Sequence, residues 1–396
     1  MEGENGMGSF KKLVAMTAVS CMALTTLAGC GDGGSGGGDE NTIRIGMNFE
    51  LTGNVANYGT TEYNGAKLAI KQANENSEHK FKYEIVEGDN KSAAEEATAL
   101  ATKLATSDGV DGMVGPATSG NSLATYQVAN DSKVLVVSPS ATANGATMNN
   151  GKVYDYVYRV CFEDNTQGAA MGVFAYDNLG KRKAAMLSDS SNDYAKGMAK
   201  SFKKKFKEKG GEIVTELNYA EKDTDFNVQL TKIKDMDFDV LYIPGYYNEV
   251  GLIIKQARSL GIDVPIIGGD GFDSSDLVKL AGAENLNDVY FTTAYTTVNA
   301  SDELTAFIEA YKEEYGEEPS MFSALAYDAT NVMIEAYEKA GKKDMDAAKE
   351  ALDSMKFNGV TGSFTFDKTH TPTKDVLVVK LVNGVQSDAV KVDPNK

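Results

Sequence analysis

From residue 42 onward the chain alternates short β-branched runs with helical stretches, and no other feature restricts its fold as much. "TIRIGMNF" (42–49) reads as a strand and "TTEYNGAKLAIKQANEN" (60–76) as an amphipathic helix. The unit repeats. "KYEIVEGD" (82–89) is a strand, "SAAEEATALATKLAT" (92–106) a helix with Ser92 as its N-cap, "VDGMVGP" (110–116) a strand, "GNSLATYQVAND" (120–131) a helix and "VLVVSPSA" (134–141) a buried strand. After "YVYRVCFEDNTQG" (156–168) a second series of the same kind runs from "KAAMLSD" (183–189) to "VPIIGGD" (264–270). "DVYFTTAYT" then leads into two long helical patterns, 302–316 and 322–341, and the tail from residue 362 reads as strands. Such alternation implies parallel sheets covered by helices, so the expected class is α/β with two doubly wound parallel-sheet lobes. A length of 396 residues agrees, because single cores stop growing at about 250–300 residues. No Gly-rich linker divides the two series, so they are expected to share hinges.

The N-terminus is of another kind. Lys11 and Lys12 precede an apolar run, 13–29, that ends at Cys30 and gives way to "GDGGSGGGDE". The run is short for a membrane span, which needs about twenty residues, and has the n-region and h-region of a secretory signal. "LAGC" (27–30) resembles the lipobox of bacterial lipoproteins, in which the peptidase cuts before the cysteine and its thiol carries diacylglycerol. That resemblance implies a signal peptide over 1–29, a lipidated Cys30, a flexible linker over 30–41, and an extracytoplasmic protein held to the membrane by its lipid alone. Only Cys161 then remains after Cys21 and Cys30, so no internal disulfide is expected.

Charge and chemistry narrow the function. With 39 Lys and Arg against 57 Asp and Glu, the net charge of −18 repels nucleic acid, and no such partner is expected. The lysines of "KSFKKKFKEK" (200–209) sit on the solvated face of a helix that buries Phe202 and Phe206. His79 and His370 fall in polar loop sequence, and no nucleophile elbow, zinc-protease or phosphate-loop motif is present. Cys161 reads as a small buried hydrophobe. The acids of "DMDFD" (235–239) lack the glycine and final glutamate of a calcium loop. Neither an enzyme, a metal nor a cofactor is expected.

Open α/β sheets bind ligands at the carboxyl ends of their strands. There "GPATSGNS" and "SPSATANG" place Ser119, Ser140 and Thr142 after strands and before expected helix starts, where hydroxyls and N–H groups can meet an anion or simply cap the helices. In the second series "GYYNE" offers Tyr246, and "GGDGFDSSD" offers Asp270, which can accept a ligand ammonium or cap a turn. An anion site on one lobe and a carboxylate on the other together suit a zwitterion.

Across residues 42–390 the chain resembles type I periplasmic binding proteins, specifically the leucine/isoleucine/valine-binding branch that serves ABC importers. "LTGNVANYG" resembles the family's opening loop, with Tyr58 where the ligand side chain is walled. "MVGPATSGNSLA" implies that Ser119 binds the α-carboxylate, and "VVSPSATAN" implies head-group contacts from Ser140, Ala141 and Thr142. "SNDYAKGMA" implies Tyr194, "YIPGYYNEVG" Tyr246, and "GGDGF" Asp270 against the α-ammonium. The resemblance further implies three crossings, near 161–165, 291–295 and 364–367, between lobe 1 (42–162 plus 294–364) and lobe 2 (163–293 plus 365–396). It implies a monomer that delivers an aliphatic amino acid to a permease of two membrane subunits with ATPases. A sensor coupled to a separate signalling protein, or a binder of another carboxylate or amide, are the alternatives. Two departures stand out. Thr118 occupies the place where some members have a disulfide cysteine, so loop rigidity must come from elsewhere. Asp270 is one methylene shorter than the usual glutamate. Phe49 and Glu50 are expected to shape the side-chain pocket.

Overall fold

Strand β1 (Thr42–Phe49) is buried along almost its whole length, as an apolar run covered on both faces must be. The computed structural model describes residues 39–396, so the expected signal peptide, Cys30 and most of the Gly/Ser segment lie outside the described residues. After β1 come α1 (Ala56–Glu75), β2 (Lys82–Asp89), α2 (Ala94–Thr106), β3 (Gly112–Val114), α3 (Ser119–Asp131) and β4 (Val136–Ser138). A two-residue hairpin, β5 (Met148–Asn149) and β6 (Lys152–Val153), precedes β7 (Val157–Arg159). These build a parallel sheet in the order β2-β1-β3-β4-β7.

The second series comprises α4 (Asp164–Val173), β8 (Lys183–Asp189), α5 (Asp193–Glu208), β9 (Glu212–Tyr219), α6 (Asn227–Lys234), β10 (Val240–Tyr242), α7 (Tyr247–Ser259), β11 (Ile266–Gly268), α8 (Ser275–Ala281) and β12 (Val289–Thr293). Helices α9 (Asp302–Tyr315), α10 (Met321–Ala340) and α11 (Met345–Asp353) follow, then the hairpin β13 (Lys356–Gly359) and β14 (Gly362–Thr365), then β15 (Val376–Val382) and β16 (Val385–Val392). The second sheet runs β16-β15-β12-β11-β10-β8-β9. It is parallel from β9 to β12, but β15 and β16 join its edge antiparallel, so it is mixed. Helix α10 returns to the first sheet and packs on α1 so closely that a Cβ at Gly65 would lie 2.0 Å from the Ser323 carbonyl.

Both sheets reverse their strand order once, between β1 and β3 and between β8 and β10. At such switch points neighbouring loops part and leave a crevice. The helices behind them are ordinary: in α5, Phe202 and Phe206 are fully buried and stack 5.3 Å apart while the lysines face outward.

Several local expectations are corrected. Ser92 does not cap α2; its hydroxyl donates to the Thr52 carbonyl at 2.8 Å and accepts from the Val55 N–H at 3.3 Å, pinning the loop before α1. No helix follows Ser140 and Thr142, which lead instead into turns and the β5/β6 hairpin. Helix α4 was unmarked in the sequence because Gly168, Ala170 and Gly172 take up much of its core face, where larger residues would advertise a helix. His370 is not a solvated loop residue: its ring stacks 3.9 Å from Tyr158, its Nδ1 lies 3.0 Å from the Val157 carbonyl, and burial lowers its pKa. Cys161 is a free, buried thiol, pushed up to about 12 by burial.

Candidate functional site

Helix α3 begins without a side-chain cap. Its N-cap residue, Thr118, turns its hydroxyl away to donate to Glu50 Oε1 at 2.8 Å, and Ser119 uses its own hydroxyl to accept from the Ala143 N–H at 3.0 Å. The first N–H groups of the helix therefore point, with the positive end of its dipole, at whatever occupies the crevice. A carboxylate is the natural complement.

Across the crevice stands Asp270, at the end of β11. Its N–H donates to Gln167 Oε1 at 3.3 Å, and Tyr194, whose hydroxyl accepts from the Gly271 N–H at 3.0 Å, stands beside its carboxylate and favours the charged form. The flanking Gly269 is required by this closeness, because a Cβ there would lie 2.4 Å from the Tyr194 hydroxyl. One oxygen, Asp270 Oδ1, is buried without a partner among the described residues. Burial raises the Asp270 pKa to about 6, with the Tyr194 and Gln167 bonds opposing the rise.

A second carboxylate lies beside it. Asp164, the first residue of α4, is fully buried; Gln167 Nε2 donates to its Oδ1 at 3.0 Å and its Oδ2 has no partner among the described residues. Burial first, and the neighbouring Asp270 charge second, push its pKa well above the usual carboxylate range. Burial and the neighbouring Asp270 charge favour the neutral form of Asp164 more strongly than burial favours that of Asp270. Gln167, whose Oε1 also accepts from the Thr292 hydroxyl at 2.7 Å, joins the two acids to β12. Asp164 and Gln167 were not singled out in the sequence; the acid at position 164 followed by an amide three residues on was the available signal, hidden because α4 itself was not recognised.

Between these poles the walls are aromatic. The ring of Tyr58 lies 4.3 Å from Phe322 and 5.6 Å from Tyr246, which stacks on Tyr194 at 5.1 Å. The cavity so enclosed is closed down to about 10 Å³. Tyr58, Ser119, Ser140, Thr142, Tyr194, Tyr246 and Asp270 all line it. Ala141 does not: its N–H donates to Ser138 and its carbonyl accepts from Arg159. Phe49 and Glu50 also stand behind the wall; the Phe49 ring meets Tyr63 at 6.5 Å. Ser140 directs its hydroxyl proton to Glu62 and to the Ala117 carbonyl, so that proton is not available to a ligand.

Arg159 was also missed. Fully buried at the end of β7, it donates to the carbonyls of Ala141 and Ala143 and to Thr371, and pairs with Glu163, which fixes the loop that carries Thr142. A larger groove of about 990 Å³ lies away from the crevice, between α4, α5 and the C-terminal segment. Lys200, Lys204, Lys374 and Asp375 line it without convergent unpartnered groups, so volume does not mark the site.

Two α/β lobes, each contributing a strand-end loop to one aromatic cavity with opposite charge preferences at its poles, define a two-lobed small-molecule binding protein. Residues 42–386 match the family model of periplasmic binding proteins, and the chain belongs to that family, in its type I branched-chain amino-acid branch. It is 30% identical over 329 residues to the leucine-, isoleucine-, valine-, threonine- and alanine-binding protein of Pseudomonas aeruginosa, covering 83% of this chain and 86% of that one. Among solved structures it is similar to the substrate-binding protein LivJ of Streptococcus pneumoniae in complex with isoleucine, with 41% identity and a TM-score of 0.85 over 89% of this chain and all of that one. It is similar also to the leucine-binding protein LivK of Thermotoga maritima, with 34% identity and a TM-score of 0.83 over 89% and 99% of the two chains. These relatives are transport binding proteins rather than enzymes, and family membership places the chain outside the cytoplasm. Among the described residues no helix is long and apolar enough to cross a membrane.

Proposed function

We propose that the protein captures a branched-chain amino acid, leucine, isoleucine or valine, and delivers it to an ABC importer. One observation carries this: the uncapped N-terminus of α3 and the unpartnered Asp270 Oδ1 face one aromatic-walled cavity from opposite lobes. The α-carboxylate would lie against Ser119 and the first N–H groups of α3, with the backbone of Ser140 and Thr142 beside it. The ammonium would lie on Asp270, with Asp164 as its neutral neighbour, and Tyr58, Tyr246 and Phe322 would enclose an aliphatic side chain. Lobe 1 (42–162 plus 294–364) and lobe 2 (163–293 plus 365–396) would move about the crossings near 161–165, 291–295 and 364–367. The closed form, a monomer tethered through a lipid on Cys30, would then dock on a permease of two membrane subunits with their ATPases. The names of LivJ and LivK support the ligand class.

Burying a charge without a partner costs several kcal/mol, whereas a methylene in the side-chain pocket changes binding by about 1–3 kcal/mol. The head group should therefore be specified more sharply than the side chain. Isothermal titration of protein unfolded and refolded to strip carried-over ligand, against the standard amino acids and their des-amino analogues, tests this. Tight binding of an aliphatic group that is lost without the ammonium is expected. Silence across the panel, or equal binding of 4-methylpentanoate and leucine, would overturn the reading in favour of another carboxylate.

A further inference from the structure

The loop that carries Ser119 has no disulfide to hold it, and a buried carboxylate stands in its place. Glu50, the residue after β1, is fully buried behind the cavity wall. Its Oε2 accepts from the Ala117 N–H at 3.0 Å, and its Oε1 accepts from the Thr118 N–H at 3.1 Å, the Thr118 hydroxyl at 2.8 Å and Asn121 Nδ2 at 2.7 Å. Asn121 also faces Asn90, whose amide donates to Asn48 Oδ1 at 3.1 Å, so this loop is tied into the core at both ends of its turn. Helix α1 presses on the same point: a Cβ at Gly59 would lie 2.3 Å from the Glu50 carbonyl oxygen, so Glu50 has no room to shift.

We infer that Glu50 is the positioning residue of the carboxylate pole, acting through Thr118 and α3 without touching the ligand; the inference rests on the amino-acid reading above. Two consequences follow from the bonding. Drawing in the Thr118 hydroxyl removes the one side chain placed to cap α3, which leaves the helix N–H groups for a ligand. Fixing the N–H groups of Ala117 and Thr118 on one carboxylate sets the direction in which Ser119 leaves the loop. An anion site made of backbone N–H groups is only as strong as their alignment, because its dipoles must be in place before the ligand arrives. Glutamate suits the task because a carboxylate is acceptor-only on both oxygens, matching donors that converge from three residues. Glutamine cannot replace it without turning an NH2 towards at least one of those donors.

The test is a double-mutant cycle on the full-length protein, read by leucine titration. Glu50→Gln is expected to weaken leucine binding about 10- to 100-fold, the loss that follows when charge-assisted bonds are broken. Ser119→Ala is expected to cost much less on the Glu50→Gln background than alone, since the serine is then already misplaced. Asp270→Asn, on the other lobe, is expected to multiply independently with Glu50→Gln. A general loss of stability would not discriminate between these two partners. Should Glu50→Gln fail to fold, Asn121→Ala removes one of the four donors and runs through the same cycle. Wild-type leucine affinity in the variants, or full independence of Glu50 and Ser119, would overturn the inference while the wild-type protein still binds leucine. Failure of the wild-type protein to bind any amino acid would overturn the functional reading and this inference with it.

Discussion

At the residue scale the decisive group is Asp270. Its raised pKa means that the ligand-free site takes up a proton as pH falls through about 6, and an ammonium can then bind only by displacing it. Leucine affinity should be level between pH 7 and 8 and fall by up to about tenfold per pH unit below 6. Asp270→Asn should abolish that dependence and leave binding weak at every pH, with the fold intact by circular dichroism. A pH-independent wild-type affinity would show that another group receives the ammonium. Arg159 belongs to the same scale but to stability. Removing a fully buried, paired arginine leaves the Ala141 and Ala143 carbonyls without their donor and takes the counter-charge from Glu163, so Arg159→Met should cost about 3–5 kcal/mol in urea unfolding.

At the element scale α4 governs how the two acids behave, because Gln167 on its first turn joins Asp164, Thr292 and the Asp270 N–H. Gln167→Leu removes the acceptor of the Asp270 N–H and an amide whose presence lowers the Asp270 pKa. The Asp270 pKa then rises further, and the loss of leucine affinity on acidification should begin above pH 6 rather than at it. An unmoved onset would place Gln167 outside the charge balance. This helix also marks what the sequence could tell. Strands β1, β2 and β8 and helices α1, α5 and α10 were legible because their long apolar periodicities leave one reading open. Ser119, Tyr246 and Asp270 were legible because they sit directly after short strands. Asp164 and Gln167 were not, since a helix that buries two glycines and an alanine beside Met171 and Val173 gives too little contrast; Arg159 was not, and Glu50 was singled out for the side-chain pocket instead, since their partners lie on loops that only the fold brings together. The helix expected after Thr142 failed for a related reason. A stretch rich in small and turn-forming residues resembled a helix start, while the Arg159 bonds to its carbonyls hold it as a turn.

At the scale of the whole molecule a polar mouth borders the cavity where the two proposed lobes meet. Asn57, on the first turn of α1, receives the Ser274 hydroxyl on its Oδ1 at 2.8 Å, donates through Nδ2 to Ser275 at 3.2 Å and through its N–H to the Tyr247 hydroxyl at 3.3 Å. Nearby, Asp273 accepts from the Met321 N–H at the start of α10 at 2.8 Å. These bonds join residues of the two proposed lobes, so in the proposed opening they would break, and they would favour closure without touching the ligand. Asn57→Ala removes two of them, each worth about 0.5–1.5 kcal/mol, and should weaken leucine binding about tenfold, chiefly through faster release. The cavity charge acts in the opposite direction. Because burial raises the Asp270 pKa, its contribution to the closed arrangement is complete below the ordinary carboxylate range and lost as pH rises through about 6, unless an ammonium replaces the proton. Without ligand, small-angle scattering should therefore report a larger radius of gyration at pH 8 than at pH 5. Leucine should reverse the expansion at pH 8 in the wild-type protein, and Asn57→Ala should need more leucine to do so. A ligand-free radius that does not change with pH would mean that closure is set by the mouth alone, and that the buried carboxylates select the ligand without driving the lobes apart.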